Sequence, residues 1–212
     1  MAGANPGSRE QILERVRQAM TRRADKRELV SSGAIFSPVK DPMERFLAEC
    51  QANFTEVVVT PDRAATAAAL REVLASLPAG EVYVQDAPQL RELMFGAAGG
   101  RSVCWSSEGP PAESSQATVT FCEALVAMTG SVLTSSGCGG RGASVVAPCH
   151  IVVARAEQLV PDLEAAMERA QQIAPHHSFV GLITGCSRTA DIEKLLVIGA
   201  HGPRRLVVIL QQ

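Results

Sequence analysis

The sequence predicts an α/β fold: a mostly parallel sheet flanked by helices. Three observations carry this. Short apolar, β-rich runs recur along the chain, at residues 56–59, 82–84, 151–154 and 206–210 among others. Segments with helical apolar spacing stand between several of them, the βαβ alternation that builds parallel sheets. Hydrophobic residues make up 46% of the 212 and charged residues 20%, which suits one globular unit with a sizeable core.

Taken in order, residues 8–28 read as a charged helical segment with Ile12, Val16 and Met20 on one side. Its arginines and lysines are interspersed with Glu10, Glu14, Asp25 and Glu28, the pattern of a solvated or partner-facing helix rather than one that meets a membrane or nucleic acid. A polar stretch at 31–41 leads to a short helix at 42–52. Residues 1–52 are thus expected to be an N-terminal helical extension packed on or beside a single α/β domain at 53–212. The strand at 56–59 opens that domain, and Thr60 and Pro61 supply N-cap and N1 signals for an Ala-rich helix ending near Leu77. A strand at 82–84, a helix at 88–95 and a strand at 102–105 follow. Residues 106–116 are rich in Pro, Ser and Glu and read as a mobile loop. Further strands are expected at 117–121, 132–135, 151–154, 179–184 and 206–210, with a helix at 161–172 begun by Pro161 and Asp162.

Composition excludes several function classes. The net charge of −2 gives no basic field for nucleic acid, and 4% aromatics, with one Trp and one Tyr, leave little for base stacking. No apolar run is long enough to cross a bilayer, and the N-terminus lacks a signal-peptide core, so a cytoplasmic protein is expected. The six cysteines are scattered, with no CxxC pair and no cluster or zinc spacing. No metal, iron–sulfur centre or other cofactor is therefore evident in this chain, and disulfides are not expected.

Two turns carry candidate chemistry. Thr184, Gly185, Cys186, Ser187 and Arg188 follow an apolar strand and read as opening a helix with Ile192, Leu195 and Leu196 on its apolar face. Such a turn presents N–H groups and a positive dipole end to an anion, with Arg188 as a fork for carboxylate or phosphate. Equally, Ser187 or Thr189 caps the helix while Asp191 and Glu193 complement its dipole. Ser136, Gly137, Cys138, Gly139, Gly140 and Arg141 follow another strand. Their glycines let backbone N–H groups approach a ligand, and Arg141 can clamp a carboxylate, but from the residues alone a plain flexible turn is the better reading. The loop is neither a Walker A sequence nor a GxGxxG fingerprint. Glu123 and His150 are the candidate catalytic groups, a carboxylate just after a strand and an imidazole at the start of one. His201 reads as turn-capping, His176 and His177 as solvent-facing. Cys138 and Cys186 fall in these loops, where N–H groups can lower a thiol pKa, although no base is evident beside them.

The same segments carry a family resemblance. The sequence TGCSRTADIE at 184–193, with the Ala200-His201-Gly202-Pro203 turn after it, resembles the C-terminal signature of the LUD-domain family of lactate-utilisation proteins. Residues 129–141, TGSVLTSSGCGGR, are similar to that family's TGS strand and SGxGxxR loop, and 148–153, PCHIVV, to its proline and HI strand. The match is close over the C-terminal half and one of layout before it. Cys186 stands where the family usually has proline, Met128 where it often has an acidic residue, and Cys138 adds a thiol. The resemblance implies a fold of the NagB/RpiA/CoA-transferase-like group. It also implies a component of a bacterial L-lactate oxidation system that works with iron–sulfur partner proteins, binds a small carboxylate or anionic cofactor, and can form a homo-oligomer. Thr129, Gly130, Ser131, Ser136, Gly137, Gly139, Arg141, Thr184, Gly185, Ser187, Arg188 and Asp191 would form its anion site. The alternatives are a stand-alone enzyme of that fold acting on a small phosphorylated or acyl substrate, or a non-catalytic carboxylate-binding or assembly subunit.

Overall fold

The structure is a computed structural model of the chain that describes residues 8–21, 36–189, 197–198 and 202–212. Contacts divide it into two compact units, Met1–Ser37 and Pro38–Gln212. In the first, helix α1 (Ser8–Thr21) leaves Ile12, Leu13 and Val16 exposed. Residues 22–28 of the expected helical segment lie outside the described residues.

The second unit begins with α2 (Pro42–Ala52), β1 (Thr55–Thr60), α3 (Arg63–Ala75), β2 (Val82–Val84), α4 (Pro88–Ala97), β3 (Val103–Trp105) and β4 (Ala117–Thr120). It continues through β5 (Ala124–Val126), β6 (Ser131–Ser135), β7 (Cys149–Arg155), β8 (Leu159–Val160), α5 (Leu163–Ile173), β9 (Val180–Thr184), β10 (Arg188–Thr189), β11 (Val197–Ile198) and β12 (Arg205–Gln211). A six-stranded sheet ordered β1-β12-β7-β4-β2-β3 is parallel throughout. Its centre is set by composition. Leu206, Val207, Val208, Ile209 and Leu210 are all buried, a continuous apolar run that needs cover on both faces.

That cover differs from side to side. Leu70, Val73 and Leu74 of α3 and Leu90, Leu93 and Met94 of α4 pack on one face against Val119, Ile151, Val207 and Ile209. On the other face, Phe46 and Cys50 of α2 join Leu125 and Val132 over Val152, Val208 and Leu210. Helix α2 thus belongs to the same compact unit as the sheet. Leu125 and Val132 come from a second sheet, β8-β5-β6-β9, in which β6 is antiparallel to both neighbours. The strands expected at 132–135 and 179–184 therefore exist but do not join the parallel sheet. Helix α5 closes the outer side of this small sheet through Ile173 on Ala124 and Leu133.

The starts of α2, α3 and α5 follow local capping. Asp41, Asp62 and Asp162 accept from the N–H groups of Glu44, Ala65 and Ala165, at 2.9, 2.8 and 2.9 Å. The cap of α3 is thus Asp62, two residues beyond the expected Thr60. Thr60 stays in β1, in register with Gln211, and shares a 2.8 Å hydrogen bond with the Thr66 hydroxyl. Arg188 and Thr189 form β10, antiparallel to β11, so Arg188 does not sit in the first turn of a helix. The expected helix itself falls on residues 190–196, outside the described residues.

Candidate functional site

After Ser135 the chain turns through the glycine loop into a 3₁₀ turn at Arg141–Ser144. Gly139 and Gly140 take φ of 83° and 86°, a left-handed region that L side chains rarely enter. Within the loop, Cys138 N–H donates to Ser135 O and Gly140 N–H to Ser136 O, both at 3.0 Å. The N–H groups of Gly139, Arg141 and Gly142 donate to no acceptor among the described residues. Tyr83 Oη donates to Gly139 O at 2.7 Å and Gln85 Nε2 to Gly137 O at 2.9 Å. Both side chains come from the end of β2. The loop therefore lies at the carboxyl edge of the parallel sheet, where ligands gather in open α/β folds, although β6 belongs to the other sheet. It faces the Ser106–Pro111 segment across a groove of about 400 Å³ lined by Tyr83, Ser106, Pro111, Gly139, Gly140 and Arg141. The Arg141 guanidinium is 5.5 Å from the Phe179 ring centre.

Glu123 braces this loop. Its Oε1 accepts from Ser135 Oγ at 2.6 Å and from Cys138 Sγ at 3.7 Å, and Arg169 stands 3.9 Å from Oε2. Burial pushes the Cys138 thiol up, the Ser135 backbone bond works against that, and the Glu123 carboxylate raises it further. Cys138 is thus kept as a thiol at neutral pH, not activated as a nucleophile. His177, expected to face solvent, instead sets its Nδ1 3.4 Å from Ser136 Oγ. No local signal marks that pairing, because its partner lies 41 residues away.

The other expected anchors gather elsewhere. Ser131 Oγ lies 2.7 Å from both Thr129 Oγ1 and Thr184 Oγ1, and Asn53 Nδ2 donates to Thr129 O at 2.8 Å. A Cβ on Gly185 would come within 2.3 Å of Asn53 O, and one on Gly130 within 2.7 Å of Cys50 N. These residues form the seat of the α2 C-terminus. Ser187 N–H donates to Pro203 O at 2.8 Å. Arg188 is exposed, 5.6 Å from the Phe54 ring centre. Asp191 and His201 lie outside the described residues. Because β6 and β9 are antiparallel, with Ser131 opposite Thr184 and Ser135 opposite Val180, the two expected halves of the site sit at opposite ends of the pair. Those ends are roughly 13 Å apart. Ser136, Gly137, Gly139 and Arg141 come together with Glu123; Thr129, Gly130, Ser131, Thr184, Gly185, Ser187 and Arg188 do not join them.

His150 is buried, with 1% exposure. Its Nε2 is 2.9 Å from Thr120 Oγ1, while Nδ1 and the neighbouring Thr118 Oγ1 have no partner among the described residues. Burial pulls its pKa down to about 4, so the ring is neutral. Among the described residues no three His, Cys, Asp or Glu side chains gather in a metal-binding group, and no helix is long and apolar enough to cross a membrane.

The LUD domain family model matches residues 111–211. The chain is 30% identical over 181 residues to lactate utilization protein C of Bacillus subtilis (strain 168), covering 76% of this chain and 74% of that protein. To lactate utilization protein C of Geobacillus sp. (strain WCH70) it is 36% identical over 104 residues, 47% of this chain and 43% of that protein. A crystal structure of a DUF162 family protein from Deinococcus radiodurans superposes with a TM-score of 0.63 at 19% identity, over 81% of this chain and 96% of that one, and so shares the fold.

Proposed function

The chain belongs to the LUD-domain family, and from that premise we propose that it serves L-lactate oxidation, holding a small carboxylate in the glycine-loop groove while iron–sulfur partner proteins carry the electrons. The observation that carries this reading is the glycine loop. It lies within the stretch matched to the family and forms one wall of an open groove at the carboxyl edge of the sheet. Three N–H groups with no acceptor among the described residues and one exposed arginine suit a carboxylate, whose lone pairs accept charge-assisted bonds of about 1.5–3 kcal/mol each. Glu123 acts on the loop rather than on substrate: it fixes Ser135 and Cys138, and so the angle at which the loop enters the groove. The test is growth. In a bacterium lacking its own lactate utilization protein C, this chain restores growth on L-lactate as sole carbon source, and Gly140→Val abolishes the rescue at unchanged protein level. A stably produced wild-type chain that gives no growth overturns the reading.

A further inference from the structure

A second cleft is larger than the glycine-loop groove, and strand lengths explain why it exists. β4 pairs with β7 only as far as Thr120 opposite Val152, whereas β12 follows β7 on to Gln211 opposite Arg155. Val153, Ala154 and Arg155 therefore run past the end of β4 by roughly 10 Å with no strand on that side, where the Gln158 side chain accepts from Arg155 N–H at 2.8 Å. The chain after β4 swings away through Phe121 and Cys122 into the small sheet and leaves a cleft of about 640 Å³ at the carboxyl edge. Its floor joins the two cores: Leu93 and Val153 come from the helix-covered face, Cys122 and Ala154 from the other. Arg63 at the first turn of α3, Gln89, Arg155, Glu157 and Gln211 rim it.

We propose that this cleft binds a second ligand, an organic anion of cofactor size, with an apolar flat or acyl body on Leu93, Phe121, Val153 and Ala154 and its anionic group at Arg155. The volume falls in the range of organic ligand pockets, and an apolar floor with a few polar rim groups is their usual lining. Arg155 is the charge available. Arg63 is already ion-paired with Glu92, while Arg155 is exposed and pairs with no carboxylate among the described residues. Gln85 links the linings of the cleft and the groove. Gln85 accepts from Phe121 N–H at 2.8 Å on the cleft side and donates to Gly137 O at 2.9 Å on the loop side. Cys122 lines the cleft, and the next residue, Glu123, braces the loop. A ligand seated on Phe121 is thereby one residue from the group that positions the glycine loop.

The probe is 8-anilinonaphthalene-1-sulfonate, an apolar ring system with one sulfonate that fluoresces when desolvated. The native chain binds it saturably at one site. Arg155→Gln weakens binding about tenfold, and Gln89→Trp, at an exposed position that fills the cleft, abolishes it, with both variants folded by circular dichroism. Phe95→Ser, which removes a phenylalanine 96% exposed on α4 away from the cleft, leaves binding unchanged. No binding by the native chain, binding indifferent to both cleft variants, or binding lost with Phe95→Ser overturns the proposal. Lactate takes no part in this assay, so its failure leaves the lactate reading standing.

Discussion

The His150 ring illustrates how burial alone sets a residue's chemistry. With its pKa at about 4, the folded protein keeps the imidazole neutral through a range in which an unfolded chain, with an ordinary histidine near 6.5, takes up a proton. The unfolded state therefore binds more protons between those values, and stability falls as pH drops from about 6.5 toward 4. The full contribution is about 3 kcal/mol, reached below pH 4. Urea unfolding at pH 4.5 and pH 7 measures it: His150→Asn should lose most of the pH difference that the wild type shows, and equal differences would remove His150 as its source. The same burial explains why this residue was a poor catalytic candidate. A histidine at the start of an apolar strand shows its chemistry in the sequence but not its depth, which depends on α2 and the small sheet packing over it.

Among the elements, those with strong local signals were legible. The apolar runs of β1, β7 and β12 and the start of α5 at Pro161 and Asp162 need little beyond their own residues to be read, whereas the start of α3 reads two residues early, at Thr60 instead of Asp62. The short strands β5, β8, β10 and β11 were not: β2 and β3 are as short as β5 but flank a helical segment that marks them off, whereas these four are defined by their partners. Nor did the sequence say that β6 and β9 leave the parallel sheet, since apolar strands look alike in either setting. Helix α2 has a comparable history. Its Phe46 is fully buried between β1 and the small sheet, so it is part of the domain's core. Phe46→Ala should therefore destabilise the protein by about 3–5 kcal/mol, whereas removing residues 1–37, which form a separate compact unit, should leave the unfolding midpoint of the rest unchanged. Chemical denaturation of both variants checks this, and a small effect of Phe46→Ala, or unfolding on truncation, would contradict it.

On the scale of the whole molecule, antiparallel pairing of β6 with β9 separates the two candidate turns. The two motif-rich turns look equivalent in the sequence, each a strand followed by a Gly-containing turn and an arginine. Folding sends them to opposite ends of one strand pair, Arg141 to the carboxyl edge of the parallel sheet and Arg188 to the seat of α2. Their residue types were legible; their separation was not, because strand direction is a property of the assembled sheet. The central proposal, that the glycine loop and Arg141 hold the carboxylate, starts from this geometry. Calorimetric titration of L-lactate and pyruvate into the wild type, Arg141→Ala and Arg188→Ala tests it most directly. Loss of one charge-assisted contact of about 1.5–3 kcal/mol should weaken binding by roughly ten- to a hundredfold in Arg141→Ala, with Arg188→Ala binding as the wild type does. Unchanged affinity in a folded Arg141→Ala, or an equal loss in Arg188→Ala, would contradict the account.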